Sequence, residues 1–352
     1  MALQKIHEIV EAGLPIDEVK EAIKQSGAAR LDHAVGSLPS FAIESLRKEY
    51  DHIVVIYPET EAPPFLKADL DALDSEKQVL HLAATHHKPY DKNQVIDTGV
   101  MVQRSEVLDS IQKQDSYVLA TSVQALFERL ADPEDFQKGS IQVQQGQQYD
   151  PEQLKSELVD QNYSSVSFVD EPGEFAMRGG ILDVFPYSGE YPIRIEFFGD
   201  EIDSIREFDP DSQRSIAFLN DARFVPNAAE LGQKGGESLF TYLPEDTLVL
   251  VYQYDLAVSN LSELYERAEE AYKQSKNNEK APLAPKQLFV QPDHFKQYIS
   301  KTPSICWGGF SKSYDELTED SMEIPTIHFD AAPQPDFNSS IKLLRQNIED
   351  LS

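Results

Sequence analysis

Residues 173–209 read GEFAMRGGILDVFPYSGEYPIRIEFFGDEIDSIREFD, and their alternation of apolar and polar side chains decides the fold of the middle of the chain. Two alternating runs, residues 181–185 and 191–198, are separated by a segment rich in Pro, Ser and Gly, which predicts antiparallel strands joined by a turn. A third run, residues 201–208, follows a Gly-Asp pair. The stretch therefore predicts a β-sheet that holds its polar side chains on a rigid surface.

The basic residues of this region are all arginines. Between Lys155 and Lys234 there is no lysine, whereas five arginines occur: Arg178, Arg194, Arg206, Arg214 and Arg223. The planar guanidinium suits bidentate pairing with carboxylates at protein interfaces. Arg194 and Phe198 are expected on the same face of one strand because their spacing is even, and an aromatic flanked by arginines is typical of an interface hot spot. The alternative is that Phe198 belongs to the core and the arginines pair within the domain; for Phe197, on the opposite face, the core is preferred.

The segments FAMRGGILDVFP (residues 175–186) and IRIEFFGDEIDSIREFDPDSQRS (residues 193–215) carry a family resemblance. They resemble the element shared by the excision-repair protein UvrB and the transcription-repair coupling factors, and the Arg-Gly-Gly step and the Asp-Ser-Gln-Arg-Ser tail are of the coupling-factor kind. Weaker resemblance extends across most of the remaining chain. It implies a domain that binds UvrA, with Arg178, Arg194 and Phe198 at the contact positions.

On both sides of this region, helical and strand-like segments alternate, which predicts an α/β layer structure. Strands are expected at residues 52–57, 79–82, 117–121, 246–252, 287–290 and 304–307. Helices are expected at residues 6–12, 16–26, 40–50, 105–113, 122–130, 149–161, 256–274 and 339–351, with Ser122 as an N-cap.

The resemblance implies that these pieces form a degenerate RecA/helicase-like α/β domain, similar to the first domain of UvrB, in two chain segments. A β-rich α+β domain similar to the second domain of UvrB is inserted between them. We expect the first segment at residues 1–137, the inserted UvrA-binding domain at 138–225, and the second segment at 226–352, where a linker to further domains would start.

UvrB carries a phosphate-binding loop in its first domain, and the corresponding segment here is HAVGSLPSF, residues 33–41. The degenerate loop comprises Gly36, Ser37, Leu38, Pro39 and Ser40. Against the pattern G-x-x-x-x-G-K-[ST], Pro39 replaces the Lys that contacts the terminal phosphates. Proline supplies neither a cation nor a backbone N–H, and Leu38 adds a side chain where phosphate would approach. An ordinary loop would predict the same absence of ATPase, so no catalytic residue is expected.

Composition limits the partners. The chain has 352 residues, enough for two or three domains, and 61 acidic against 31 basic residues give a net charge of −30. This charge would repel a phosphate backbone, which favours a protein partner over DNA. The chain has no run of eighteen apolar residues, no signal-like N-terminus and one cysteine, so we expect a cytoplasmic protein without disulfides and without contact to a membrane.

Three histidines, His81, His86 and His87, lie close to Asp91, but no i, i+4 pair on a convincing helix accompanies them, so a surface loop is preferred to a metal site. Neither a metal nor another cofactor is expected.

The resemblance therefore implies a non-catalytic UvrA-recruiting module of a longer protein. RNA polymerase and DNA would be bound only through domains missing from this chain, where the ATP-dependent motor also lies, and a C-terminal domain would cover the UvrA-binding face until the motor engages. The alternative is a UvrB-like DNA-binding repair protein with weak ATPase, which requires a working phosphate loop.

Overall fold

The structure of the chain is a computed structural model that describes residues 10, 12–74, 78–86, 88–91, 97–232, 235–275, 282–309, 311–317, 323–331, 341–343 and 345. Its strands are β1 Ala28–Asp32, β2 His52–Tyr57, β3 Val79–Leu82, β4 Tyr117–Ser122, β5 Ile141–Gln144, β6 Ser164–Ser165, β7 Glu174–Arg178, β8 Ile181–Val184, β9 Ile193–Phe198, β10 Glu201–Phe208, β11 Ser215–Leu219, β12 Asp221–Phe224, β13 Leu248–Tyr252, β14 Ser304–Trp307 and β15 Thr326–His328. Its helices are α1 Ile16–Ser26, α2 Leu38–Leu46, α3 Ala62–Leu73, α4 Thr98–Lys113, α5 Val123–Phe127, α6 Pro133–Lys138, α7 Pro151–Asp160, α8 Ala228–Gly232, α9 Tyr254–Ser275, α10 Pro285–Leu288, α11 Pro292–Lys301 and α12 Lys312–Asp315.

A seven-stranded parallel sheet takes strands from both ends of the chain, in the order β15-β1-β14-β13-β2-β4-β3. Its strands are apolar on both faces because helices cover both. Ile53, Val55 and Leu250 pack on one side with residues of α1, α2 and α3. Val54 and Val251 pack on the other side with residues of α4, α5 and α9.

A six-stranded sheet, in the order β11-β10-β9-β8-β7-β6, is formed by the chain between β5 and β12. Its pairs are antiparallel except β6 with β7. One face is apolar and buries Phe175, Leu182, Ile195 and Ile205 in the same core cluster as Leu154 and Leu158 of α7. This mixed α/β architecture, a parallel sheet with a separate β-rich sheet, is the fold class that the sequence predicted.

The two sheets are joined by a short antiparallel ribbon, in which Ile141 of β5 lies opposite Phe224 of β12. Arg223 on this ribbon pairs through Nε with Asp109 Oδ1 of α4 at 3.0 Å. The domain borders at residues 137/138 and 225/226 stay a prediction, and the ribbon falls close to both.

Several local predictions are confirmed. The strands at 52–57, 79–82 and 304–307 and helix α1 lie where the pattern placed them. Ser122 caps α5, since its hydroxyl accepts the N–H of Ala125 at 3.2 Å. Predicted helix 6–12 and the last helix, 339–351, fall largely outside the described residues. No helix in the described ranges is long and apolar enough to cross a membrane.

Two predicted elements are wrong in part. Residues 287–290 were expected to form a strand, but α10 occupies 285–288, because Pro285 favours the first turn of a helix and the Gln287 side chain accepts the N–H of Ala284. Only Phe289 makes a β-bridge, to Glu128. That same contact explains why α5 ends at Phe127 and not at residue 130: the chain leaves the helix to hydrogen-bond with this segment.

Candidate partner-docking surface

The face of the six-stranded sheet opposite its core is called the outer face. On β9 the side chains alternate: Ile193 and Ile195 are buried in the core, and Arg194, Glu196 and Phe198 lie on the outer face. Cross-strand partners share a face, so the register extends the outer face across the sheet. One row of neighbours contains Ala176, Asp183, Arg194, Arg206 and Phe218, on strands β7 to β11.

Asp183 is the centre of the charge network on this face. Its carboxylate is only 1% exposed and receives two bonds from Arg194, Nε to Oδ1 at 2.6 Å and Nη2 to Oδ2 at 2.9 Å. Arg178 donates to the same carboxylate, and its Nη1 donates to the carbonyl of Ser167 at 2.8 Å. Asp183 therefore fixes both guanidinium groups that the family resemblance places at the partner contact.

Arg194 is held mainly by its own sheet. Its side chain is 13% exposed, its guanidinium carbon lies 4.2 Å from the centre of the Phe208 ring, and Nη2 also donates to Gln213 Oε1 at 2.7 Å. The hydrogen bond with Asp183 raises the pKa of Arg194 above its ordinary value. Arg178 is more accessible, with 35% of its side chain exposed.

A second ion pair on the outer face joins Arg206 of β10 to Glu196 of β9. The Glu196 carboxylate also accepts the Ser204 hydroxyl at 3.0 Å. The hydrogen bond from Arg206 is the largest cause that lowers the pKa of Glu196 below 4.5. Asp183 and Glu196 therefore both hold arginine side chains of this face in fixed positions.

Three phenylalanine rings lie exposed around this network. Phe198 is 82% exposed, Phe218 is 75% exposed and Phe168 is 67% exposed. Phe168 lies in the loop between β6 and β7, and the Arg178 guanidinium carbon is 4.7 Å from its ring centre. Exposed aromatic rings beside held guanidinium groups are the composition that interfaces favour.

Phe198 lies at the end of β9, next to the turn at Gly199 and Asp200, where Gly199 adopts φ +65°. The carboxylate that orients Arg194 is Asp183 on the neighbouring strand β8. Asp200, in the turn, accepts the Tyr149 N–H through its backbone carbonyl.

Phe198 is thus exposed, and Phe197, on the opposite face, packs against the core as expected. Sequence reasoning missed Asp183, Phe168 and Phe218. The alternation of residues 215–219 could have indicated Phe218. Asp183 had a signal too, because an aspartate amid the apolar residues of 181–184 calls for a charged partner.

The segment predicted to be a degenerate phosphate loop, residues 36–40, follows β1 and runs into the first turn of α2, at the carboxyl edge of the parallel sheet. This loop borders a cleft of about 610 Å³ that Gly36, Pro39 and Ser40 help to line. The N–H of Leu38 donates to the Val35 carbonyl at 3.2 Å, and the Ser40 hydroxyl donates to Asp69 Oδ2 at 3.2 Å. Both donors are therefore used within the chain.

Two of the three histidines near residue 85, His81 and His86, are described by the structure. His81 Nδ1 lies 2.9 Å from Gln103 Nε2, and burial lowers the pKa of His81. His87 is outside the described residues. Within the part of the chain that is described, no three His, Cys, Asp or Glu side chains are grouped as a metal would need.

Comparison with known proteins matches residues 141–229 to the family described as the UvrB interaction domain. The transcription-repair-coupling factor of Bacillus subtilis is 35% identical over 144 residues, which cover 39% of this chain and 12% of that protein. The factor of Haemophilus influenzae is 24% identical over 371 residues, covering 91% of this chain and 32% of that protein. UvrABC system protein B of Halobacterium salinarum is 34% identical over 123 residues, covering 35% of this chain and 18% of that protein. The chain thus spans about a third or less of the relatives it matches.

Proposed function

We propose, from the premise that residues 141–229 are a UvrB interaction domain in a chain homologous to the transcription-repair-coupling factors, that the outer face of the six-stranded sheet docks UvrA. The chain would serve transcription-coupled nucleotide excision repair in the cytoplasm as a recruiting module without catalysis of its own. The observation that carries the proposal is that Phe198 is 82% exposed on the same face of the sheet as the guanidinium groups that Asp183 holds in place.

Phe198 is the expected anchor of the contact. A ring that is 82% exposed gains most when a partner buries it, and the residues that dominate interfaces are aromatics and arginines near the centre of the patch. Phe168 and Phe218 widen the apolar area. Exposed apolar patches on a protein surface often mark contact sites for a partner. The three exposed rings therefore favour a docking surface over a surface that contacts only solvent.

The two arginines take different roles in the proposed contact. Arg178, with a third of its side chain exposed, can reach a carboxylate of UvrA while it keeps its bond to Asp183. Arg194 contributes as a fixed positive charge and as a support for β9, because its donors are already used by Asp183 and Gln213. Arg194→Ala should therefore weaken the domain as well as its association with UvrA.

Binding to immobilised UvrA tests the proposal. The chain should bind at micromolar concentration without any activating factor, and Phe198→Ala should weaken binding strongly. Leu256→Ala is the control, because Leu256 is a 38% exposed apolar residue on α9, which packs on the seven-stranded sheet, and it does not line the cleft at the sheet edge. No complex at low or moderate salt, or equal losses for both variants, would contradict the proposal.

The alternative is a UvrB-like DNA-binding repair protein with weak ATPase, for which the match to UvrABC system protein B is the supporting observation. It would need a phosphate loop that binds ATP. Pro39 stands where the lysine should be, and the Ser40 hydroxyl is bonded to Asp69. We expect no retention of radiolabelled ATP on a filter and no hydrolysis; saturable binding would favour the alternative.

In the whole protein, RNA polymerase and DNA would be bound by domains outside this chain, and those domains would also supply the ATP-driven motor. The net charge of −30 supports this division, because a strongly acidic chain repels the DNA backbone. A mobility-shift titration of the chain with duplex DNA at low salt should give no shift.

A further inference from the structure

The cleft at the carboxyl edge of the seven-stranded sheet is lined by acidic side chains, whereas a nucleotide site needs positive groups for the phosphates. Its lining includes the carboxylates of Asp32 and Asp69, and none of the described residues that line it is a lysine or an arginine. Asp69 lies on α3 and accepts the Ser40 hydroxyl, and Asp32 ends β1, with Oδ2 at 2.9 Å from His328 Nδ1. An anionic ligand would be repelled here, and a cation would be attracted.

One wall of the cleft is aromatic. Tyr57, Tyr252 and Trp307 are the last residues of β2, β13 and β14, at the sheet edge. Their ring centres lie 5.4 to 5.7 Å apart. Gly308 permits this packing: it adopts φ +88°, and a Cβ there would lie 2.2 Å from the Tyr252 ring. The tyrosines are half-buried, so they keep part of their surface towards the cleft.

The electrostatic environment of Tyr57 agrees with a site for cations. Burial raises the pKa of Tyr57, and the nearby Tyr252 and Asp69 raise it further. The contribution of Asp69 shows a negative field at this ring, and the face of a neutral tyrosine ring attracts a positive group.

We propose that this cleft binds the guanidinium group of an arginine side chain on a polypeptide, in place of the nucleotide that the loop position suggests. A guanidinium is planar, stacks on tyrosine faces and pairs with a carboxylate through parallel N–H groups, so it matches both the aromatic wall and Asp69. Phe65, 73% exposed at the rim, offers an apolar contact to a residue beside the arginine, which free arginine cannot use.

Trp307 is the only tryptophan of the chain, so its fluorescence reports on this cleft. The chain is titrated with the capped tripeptide Ala-Arg-Leu, its lysine counterpart Ala-Lys-Leu, arginine amide and MgATP, with calorimetry as a second readout. We expect the arginine peptide to bind most tightly, the lysine peptide and arginine amide more weakly, and MgATP not to compete.

Asp69→Asn should weaken the arginine peptide by about tenfold, since it removes the charged acceptor of the guanidinium. Asp71→Asn is the matched control: Asp71 lies on the same helix, pairs with Lys67 at 2.7 Å and does not line the cleft. Tyr252→Leu provides a second variant, which should reduce the preference for arginine over lysine because it removes a stacking surface.

Four results would overturn the proposal: no saturable binding of the arginine peptide up to millimolar concentration, equal affinity for the lysine peptide, competition by MgATP, or an equal loss in Asp69→Asn and Asp71→Asn. Equal affinity for arginine amide would overturn the assignment of a polypeptide. Because none of these measurements involves UvrA, they are independent of the docking surface on the other sheet.

Discussion

The seven-stranded and six-stranded sheets differ in how many of their faces are buried. Helices cover both faces of the parallel sheet, so its side chains have no surface to offer a partner, and its accessible chemistry lies at the strand ends. The six-stranded sheet buries one face fully; its other face has a small buried cluster that includes Ala176 and Phe208, but also partly exposed arginines and the exposed rings of Phe198 and Phe218. The difference teaches that buried and exposed side chains of the two sheets should affect different quantities, and substitutions should separate the free energy of unfolding from the affinity for a partner.

The largest effect is expected from Asp183→Ala. It would remove the shared partner of Arg178 and Arg194 and leave largely buried charge unpaired, so unfolding in urea should show a loss of about 3–5 kcal/mol. The control Asp203→Ala changes an exposed aspartate on strand β10 of the same sheet and should stay within about 0.5 kcal/mol. A loss below that of the control would mean that the network does not hold the outer face.

Leu250→Ala probes the sheet that is buried on both faces. Leu250 is 1% exposed in β13, and its truncation should cost about 2–5 kcal/mol of the free energy of unfolding through lost burial and a cavity. Binding of UvrA by the folded fraction should not change. A clear change in affinity at a temperature where the variant is fully folded would break the separation between the sheets.

Phe198→Ala should show the reverse pattern. The free energy of unfolding should remain within about 0.5 kcal/mol, because an 82% exposed ring loses little burial on truncation. Affinity for UvrA should fall by about 2 kcal/mol, roughly 30-fold. Interferometry with immobilised UvrA and urea unfolding of the same preparation measure the two quantities; a stability loss without an affinity loss would place Phe198 among the structural residues.

The smallest effect concerns Glu196. Its pKa in the folded chain lies below its ordinary value of 4.5, so the stabilisation it contributes is present above the unfolded-state pKa and is lost as pH falls through the folded-state pKa. Arg206→Ala should bring the carboxyl titration back towards 4.5 in NMR, and should cost no more than about 1 kcal/mol at neutral pH. An unchanged titration midpoint would mean that Arg206 is not the cause.

Much of the fold follows from the sequence alone. The run HIVVIY at residues 52–57 is apolar and buried almost throughout, whereas residues 193–198 alternate between buried and more exposed side chains. Each pattern predicted a strand that the structure contains. Segment 287–290 failed because a short apolar run does not distinguish a strand from a helical turn, and Pro285 before it decided the outcome.

The candidate surface was only partly predictable. Even spacing placed Arg194 and Phe198 on one face, but the partner of Arg194 depends on which residue of β8 lies opposite it. That register is set by the turn and by packing of both strands on the core. Phe168 lies outside any regular alternation, in a loop that only the tertiary structure brings over Arg178.

The ribbon of β5 and β12 has a consequence for how the chain can be taken apart. Ile141 and Phe224 lie side by side, so the intervening segment leaves and re-enters the parallel-sheet body at points about 5 Å apart. Because the two ends of this segment are close together, a short Gly-Ser linker could replace it without stretching the chain on either side. The six-stranded sheet therefore starts and ends at neighbouring points, and a host with two adjacent antiparallel strand ends would match them in geometry.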